Sequence, residues 1–249
     1  MTLPTLLLLA AAATLATMVC RLVFRRTPDQ WLMDYDETVI PPEMEKLKSM
    51  PWFPDTLLLG LAQFLLFLLS YQVLGLSVYW ALVMLTAQPL LLIMIADHKT
   101  KIIPDQYLLA LIPAALFFWL EANLNHASSD WLRDLLTRLA AGFAGAFFLW
   151  LVGFIASKIM KRDAMGMGDV KLLAAAGLLV GLRWLPALLI LSFFTAAFLA
   201  LPLLLRRRRD PDADAEMAFG PFISLSIILV LAFHGLLANL WQFYLNLLS

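Results

Sequence analysis

A carboxylate that follows two glycines at the mouth of an apolar segment is the feature of this sequence with the clearest chemical use. The stretch Ala164-Met165-Gly166-Met167-Gly168-Asp169-Val170-Lys171-Leu172-Leu173 sets Asp169 where a charged loop (Lys161, Arg162, Asp163) runs into an apolar run. Glycine allows positive φ and close backbone approach, so Gly166 and Gly168 can aim the next side chain as bulkier residues cannot. An acid at the edge of a membrane segment is costly and marks a functional site by default. Alone, the pattern is equally satisfied by a turn and a capping aspartate. The chemistry open to Asp169 depends on whether a second acid reaches it.

Two acids are candidates. Asp97 stands at the end of an apolar run, in Asp97-His98-Lys99-Thr100-Lys101-Ile102-Ile103-Pro104-Asp105, and Asp105 closes the same stretch. A pair of carboxyls sharing one proton can work as base and acid together. One activates water while the other, protonated, polarises a scissile carbonyl, which is aspartic proteolysis. Such a pair titrates as a unit. On one continuous helix Asp97 and Asp105 would lie about 80° apart and about 12 Å along the axis. Pro104 makes Asp105 read as a first-turn residue of the following helix, where the dipole favours an acid. The residues favour Asp97 by a small margin and leave Asp105 in competition. His98 reads as a solvated interfacial histidine.

The elements that must position these groups are membrane spans. The chain has 249 residues, 62% hydrophobic and 14% charged, with a net charge of zero, a composition that cannot cover a soluble surface. Runs of about 20 apolar residues match a bilayer core. Eight apolar segments can be delimited: 3–20, 56–74, 76–96, 106–120, 139–159, 170–182, 185–205 and 219–247. Fifteen of the 18 lysines and arginines then fall on one side, with Arg133, Arg138 and Arg183 on the other, which orients both termini away from the cytoplasm. Asp97 and Asp169 arrive at the same, cytoplasmic end.

Other features carry structural readings. The sixth segment is short, about 20 Å long, so its glycine turn is expected inside the bilayer level, where irregular backbone must line a cavity or be buried. Ala141 with Gly145, and Gly177 with Gly181, are small-residue pairs suited to close helix packing. Cys20, the only cysteine, reads as a packing residue and excludes disulfides and four-cysteine zinc sites within the chain. His234 reads as a packed or locally bonded histidine, and Trp241 and Tyr244 as interface aromatics. Arg206-Arg207-Arg208-Arg209 could suggest nucleic acid, but after a span and beside the acidic run 210–216 they read as a cytoplasmic anchor. Tyr35-Asp36 carries no catalytic weight.

Gly166-Met167-Gly168-Asp169-Val170-Lys171-Leu172-Leu173-Ala174, preceded by Asp97 and by Ile103-Pro104-Asp105, resembles the type IV prepilin peptidases. Ala218-Phe219-Gly220-Pro221-Phe222 resembles that family's Phe-Gly-Pro signature, and the resemblance runs from about residue 77 onward. It implies an inner-membrane aspartic endopeptidase that cuts the basic leader from prepilins or type II secretion pseudopilins at the cytoplasmic face. The catalytic pair falls on Asp97 and Asp169. Gly166, Gly168, Lys171, Pro104, Asp105, Phe219, Gly220 and Pro221 are supporting motif residues.

The N-terminal part departs from that family. Many members carry a cytoplasmic zinc loop with two Cys-x-x-Cys pairs and methylate the new N-terminus with S-adenosylmethionine. Here the loop is short and Cys20 stands alone, so no metal or other cofactor is expected and methylation is doubtful. The acids Asp34, Asp36, Glu37, Glu43 and Glu45 are candidates to meet a basic leader. The expected architecture is an all-α polytopic bundle of about eight transmembrane helices. Residues 1–249 form one peptidase domain, with a first helix in 1–24, a cytoplasmic loop in 25–55 and the catalytic core in 56–249. Its expected partners are prepilin or pseudopilin substrates and the lipid bilayer, with no nucleic acid and room for a homo-oligomer. The alternative is a small transporter or a pilus or secretion assembly scaffold using the two acids as a proton or ion site.

Overall fold

The apolar segments become helices because backbone polar groups inside a membrane must be satisfied within the segment itself. A computed structural model describes residues 2–33, 39–126, 130–161, 165–207 and 218–248, and every regular element among them is helical. Helix α1 is Leu3–Arg26, α2 is Met44–Lys48, α3 is Leu57–Leu74 and α4 is Val78–Thr100. Then follow α5 (Asp105–Leu109), α6 (Leu111–His126), α7 (Trp131–Met160), α8 (Met167–Arg207) and α9 (Gly220–Leu248). The turns between them follow local chemistry. Gly75, at φ 63°, ends α3, and Ser77 opens α4 by accepting a 3.0 Å hydrogen bond from the Trp80 amide.

Seven stretches among the described residues are long and apolar enough to cross a membrane, and the chain is a multi-pass membrane protein. Two of the eight segments marked by the sequence, 170–182 and 185–205, are joined within α8 at Gly181, whose non-helical φ of 74° and ψ of 171° separate two helices. The second returns toward the start of α8, because Phe193 packs against Phe219 beside Gly220. The carbonyls freed there are not left bare. Arg138 of α7 donates to the carbonyl oxygens of Leu178 at 3.3 Å and Leu179 at 3.0 Å, while its Nε bonds Asp134 at 3.1 Å. Gly181 therefore serves the break, not the helix contact that its spacing from Gly177 suggested.

The core lies between α4, α8 and α9. Leu90 and Ile93 of α4, Leu172 and Leu188 of α8, and Ile223 and Ile227 of α9 are fully buried. Large apolar side chains such as Leu15, Leu85, Phe143 and Phe198 point outward, as a lipid-facing surface requires. Against lipid, helices associate through close backbone approach. Helices α7 and α8 do so through glycines: a Cβ at Gly142 would sit 3.0 Å from the Ala174 carbonyl oxygen, and one at Gly145 3.0 Å from that of Leu173.

The stretch between α1 and α3 is docked, not free. Leu32, Met44 and Met50 are buried. Lys99 of α4 bonds the Ser49 carbonyl oxygen and the Asp55 carboxylate, each at 2.6 Å, and Arg21 donates to the Met50 carbonyl oxygen at 3.1 Å. Cys20 is buried and turned to Gln88, with Sγ 3.3 Å from Oε1, and His234 Nδ1 lies 3.2 Å from the Leu231 carbonyl oxygen. Both fit the packing roles expected of them. Residues Asp34, Tyr35, Asp36, Glu37, Arg162, Asp163, Arg208, Arg209 and 210–216 lie outside the described residues. So do the side chains of Arg206, Arg207, Trp241 and Tyr244.

Candidate active site

Three helix ends converge at one level. Helix α4 runs toward it and closes with Lys101 in the left-handed conformation, φ 60°, its amide bonded 2.9 Å to the Asp97 carbonyl oxygen. Helices α8 and α9 start from it. Asp97, in the last turn of α4, is only 4% exposed. Asp169 is in the first turn of α8, where the unpaired amides of a helix start favour a carboxylate.

The two side chains lie in the same region of the fold. Their carboxyls are close enough to interact electrostatically, and each has one oxygen, Asp97 Oδ2 and Asp169 Oδ1, that is buried without a protein partner. Buried oxygens without partners are costly, so their presence at this place calls for a physical reason.

Glycines make the room. A Cβ on Gly220 would lie 2.6 Å from Asp97 Oδ2, 3.1 Å from its Cγ and 2.9 Å from Ile103 Cδ1, so only glycine lets α9 start against this carboxyl. The Gly220 amide meets the same carboxyl. Pro221 occupies the first turn of α9, where a missing N–H costs nothing, and the Phe219 carbonyl oxygen accepts from the Phe222 amide at 3.0 Å. The Phe219 ring packs against Phe193 of α8, centroids 5.4 Å apart. Gly168 faces Ile103 in the same way, with a would-be Cβ 3.1 Å from Ile103 Cβ. One on Gly166 would stand 3.9 Å from Asp169 Oδ2.

Asp105 takes a different place. Pro104 precedes α5, and Asp105 in its first turn pairs with Lys171 of α8, both carboxylate oxygens lying 2.9 Å from Nζ. Both side chains are more than a third exposed. The pair fastens the loop after α4 to the start of α8 and holds Asp105 out of the buried space that Asp97 and Asp169 share. His98 is exposed, as its solvated reading anticipated. Sequence reasoning named every acid and glycine here but gave no role to Ile103. An apolar residue in an apolar chain carries no signal of its own, and only its contacts single it out.

The model of the type IV leader peptidase family matches residues 82–201. A prepilin leader peptidase/N-methyltransferase of Pectobacterium carotovorum subsp. carotovorum is 30% identical over 161 residues, covering 65% of this chain and 53% of the relative. One from Escherichia coli (strain K12) is 30% identical over 139 residues, covering 56% of this chain and 57% of the relative. One from Pseudomonas aeruginosa is 30% identical over 146 residues, covering 59% and 43%. The chain thus spans about half the length of the curated relatives it matches. No solved structure matches it with significance. The stretch 82–201, which holds Asp97 and Asp169 together with the Pro104-Asp105 and Gly166-Met167-Gly168-Asp169 motifs, is thus similar to the type IV leader peptidase family.

Proposed function

We propose that this chain is an aspartic endopeptidase that removes the basic leader from type IV prepilins or type II secretion pseudopilins. In this reading Asp97 and Asp169 are the catalytic pair. The observation that carries it is their electrostatic interaction across α4 and α8, each with a buried oxygen that has no protein partner. The names of the relatives favour a peptidase over the transporter or scaffold alternative.

The reaction uses one proton shared by the pair. The ionised carboxylate takes a proton from water as the water oxygen attacks the scissile carbonyl, and the protonated partner hydrogen-bonds the carbonyl oxygen. The partner passes its proton to the carbonyl oxygen to give the tetrahedral diol. The diol collapses as the newly protonated acid gives its proton to the leaving amide nitrogen and the partner takes one back from a diol hydroxyl, restoring the starting charge. Burial keeps the site apart from bulk water, and preset carboxyl positions supply the orientation that such a step needs. The pair supplies both acid and base, so no cofactor takes part in these steps.

The site faces the cytoplasm of an inner membrane in this proposal, on the strength of the lysine and arginine distribution. A basic leader then meets the docked stretch before α3. Glu43 and Glu45 are exposed there, and Glu45 lines a cleft of about 630 Å³ with Asp29, Pro41 and Lys48. Asp34, Asp36 and Glu37, candidates for the same task, lie outside the described residues. The testing experiment is cleavage of a co-expressed prepilin by wild type, Asp97→Asn and Asp169→Asn, with membrane levels measured. Wild type cuts and both variants fall by about a thousandfold or more, the scale seen when one member of a catalytic unit is removed. Equal processing by all three sinks the enzyme reading.

A further inference from the structure

Ile103 packs against both glycine-bearing helix starts. It is 9% exposed and sits in the short link between α4 and α5, held on one side by left-handed Lys101 and on the other by Pro104 at φ −63°. Its Cβ and Cγ1 lie 3.1 and 3.4 Å from the place a Cβ would take on Gly168. Its Cδ1 lies 2.9 Å from that place on Gly220. Gly168 precedes Asp169, and Gly220 abuts the Asp97 carboxyl. One branched side chain, stiff about its first torsion, therefore stands between the α8 start that carries one acid and the α9 start that walls in the other.

We propose that Ile103 is a positioning residue of the Asp97–Asp169 pair, a spacer that fixes the separation of the starts of α8 and α9 and with it the separation of the two carboxyls. This rests on the peptidase reading for its catalytic consequence but not for its structural one. The atoms divide the task. Ile103→Val deletes only Cδ1, the atom against Gly220, whereas Ile103→Ala also deletes Cγ1 and leaves only Cβ against Gly168.

Two readouts test this. In prepilin cleavage by detergent-purified folded protein, a misplacement of about 1 Å can cost about a hundredfold. The expected result is a kcat lower by about tenfold or more for Ile103→Ala and by about threefold for Ile103→Val, with KM within about twofold and a displaced pH–rate profile. The second readout needs no activity. In a Cys20→Ser background carrying Asp97→Cys and Asp169→Cys, the oxidative cross-linking yield between positions 97 and 169 is highest with Ile103 kept, lower with Ile103→Val and lowest with Ile103→Ala. A graded loss in both readouts supports the spacer. Wild-type kcat, pH profile and cross-linking in Ile103→Ala overturn it. If the parent protein cleaves no prepilin, the peptidase reading fails while the cross-linking series still decides the spacer.

Discussion

Gly220 lies so close to the Asp97 carboxyl that a single added carbon decides whether the two fit. A methyl group at position 220 would enter within 2.6 Å of Asp97 Oδ2 and 2.9 Å of Ile103 Cδ1, so both side-chain ends must shift to admit it. Overpacking of this kind costs roughly 1–3 kcal/mol when the surroundings shift to absorb it. Gly220→Ala is therefore expected to insert and extract normally while losing prepilin cleavage by about tenfold or more; wild-type cleavage would show that α9 yields freely. The exposed Asp105–Lys171 pair sets the opposite expectation. Such pairs contribute about 0–1 kcal/mol, so Asp105→Asn and Lys171→Gln should each keep cleavage within about tenfold of wild type. Loss as deep as that of Asp97→Asn would return Asp105 to the catalytic pair. The acids were legible in the sequence because a charge in an apolar chain is rare and its position countable. Which of Asp97 and Asp105 is buried beside Asp169 was not, since eight residues of spacing do not say that the helix stops at Lys101.

The helices themselves were the most legible layer, because a bilayer demands long apolar runs and α1, α3, α4, α7 and α9 follow them closely. The exception is α8. A glycine pair four residues apart reads as a packing face, yet only Gly177 packs, while Gly181 takes a positive φ that no pattern announces. The break is stabilised from another helix by Arg138, a long-range partner invisible to local spacing. At Gly177 a Cβ would run into the Ala141 carbonyl and come within 2.6 Å of the Gly142 amide nitrogen, so backbone meets backbone and no side chain can rotate away. Gly177→Ala must part α7 from α8 and should cost about 1–3 kcal/mol, and Gly177→Leu should fail to fold. Thermal unfolding in detergent, followed by the monodisperse fraction on size exclusion, checks both. An Ala variant as stable as wild type would mean that these helices are not in contact there.

At the scale of the molecule, the question is how many of the relatives' activities this chain carries. The relatives are named for two, peptidase and N-methyltransferase, and the chain spans about half their length. The family match over residues 82–201 holds the acid pair and its glycines. The family's zinc loop, with its two Cys-x-x-Cys pairs, has no counterpart between α1 and α3, where the docked stretch carries no cysteine. Cys20 is enclosed in α1 against Gln88, so it offers no thiolate to solvent, and a tetrahedral thiolate site needs four. That stretch is tied down by Lys99 to Asp55 and Lys48 to Asp29, ion pairs of 2.6 Å each. The expected outcome is cleavage without methylation. Purified protein given a prepilin and S-adenosylmethionine should release a mature pilin whose N-terminal amine is free by mass spectrometry, and a zinc chelator should leave the cleavage rate within about twofold, as expected for a dyad that is its own acid and base. A methylated product would mean that the transferase site is built from the membrane helices themselves, and a chelator-sensitive rate would place a metal in the folded enzyme.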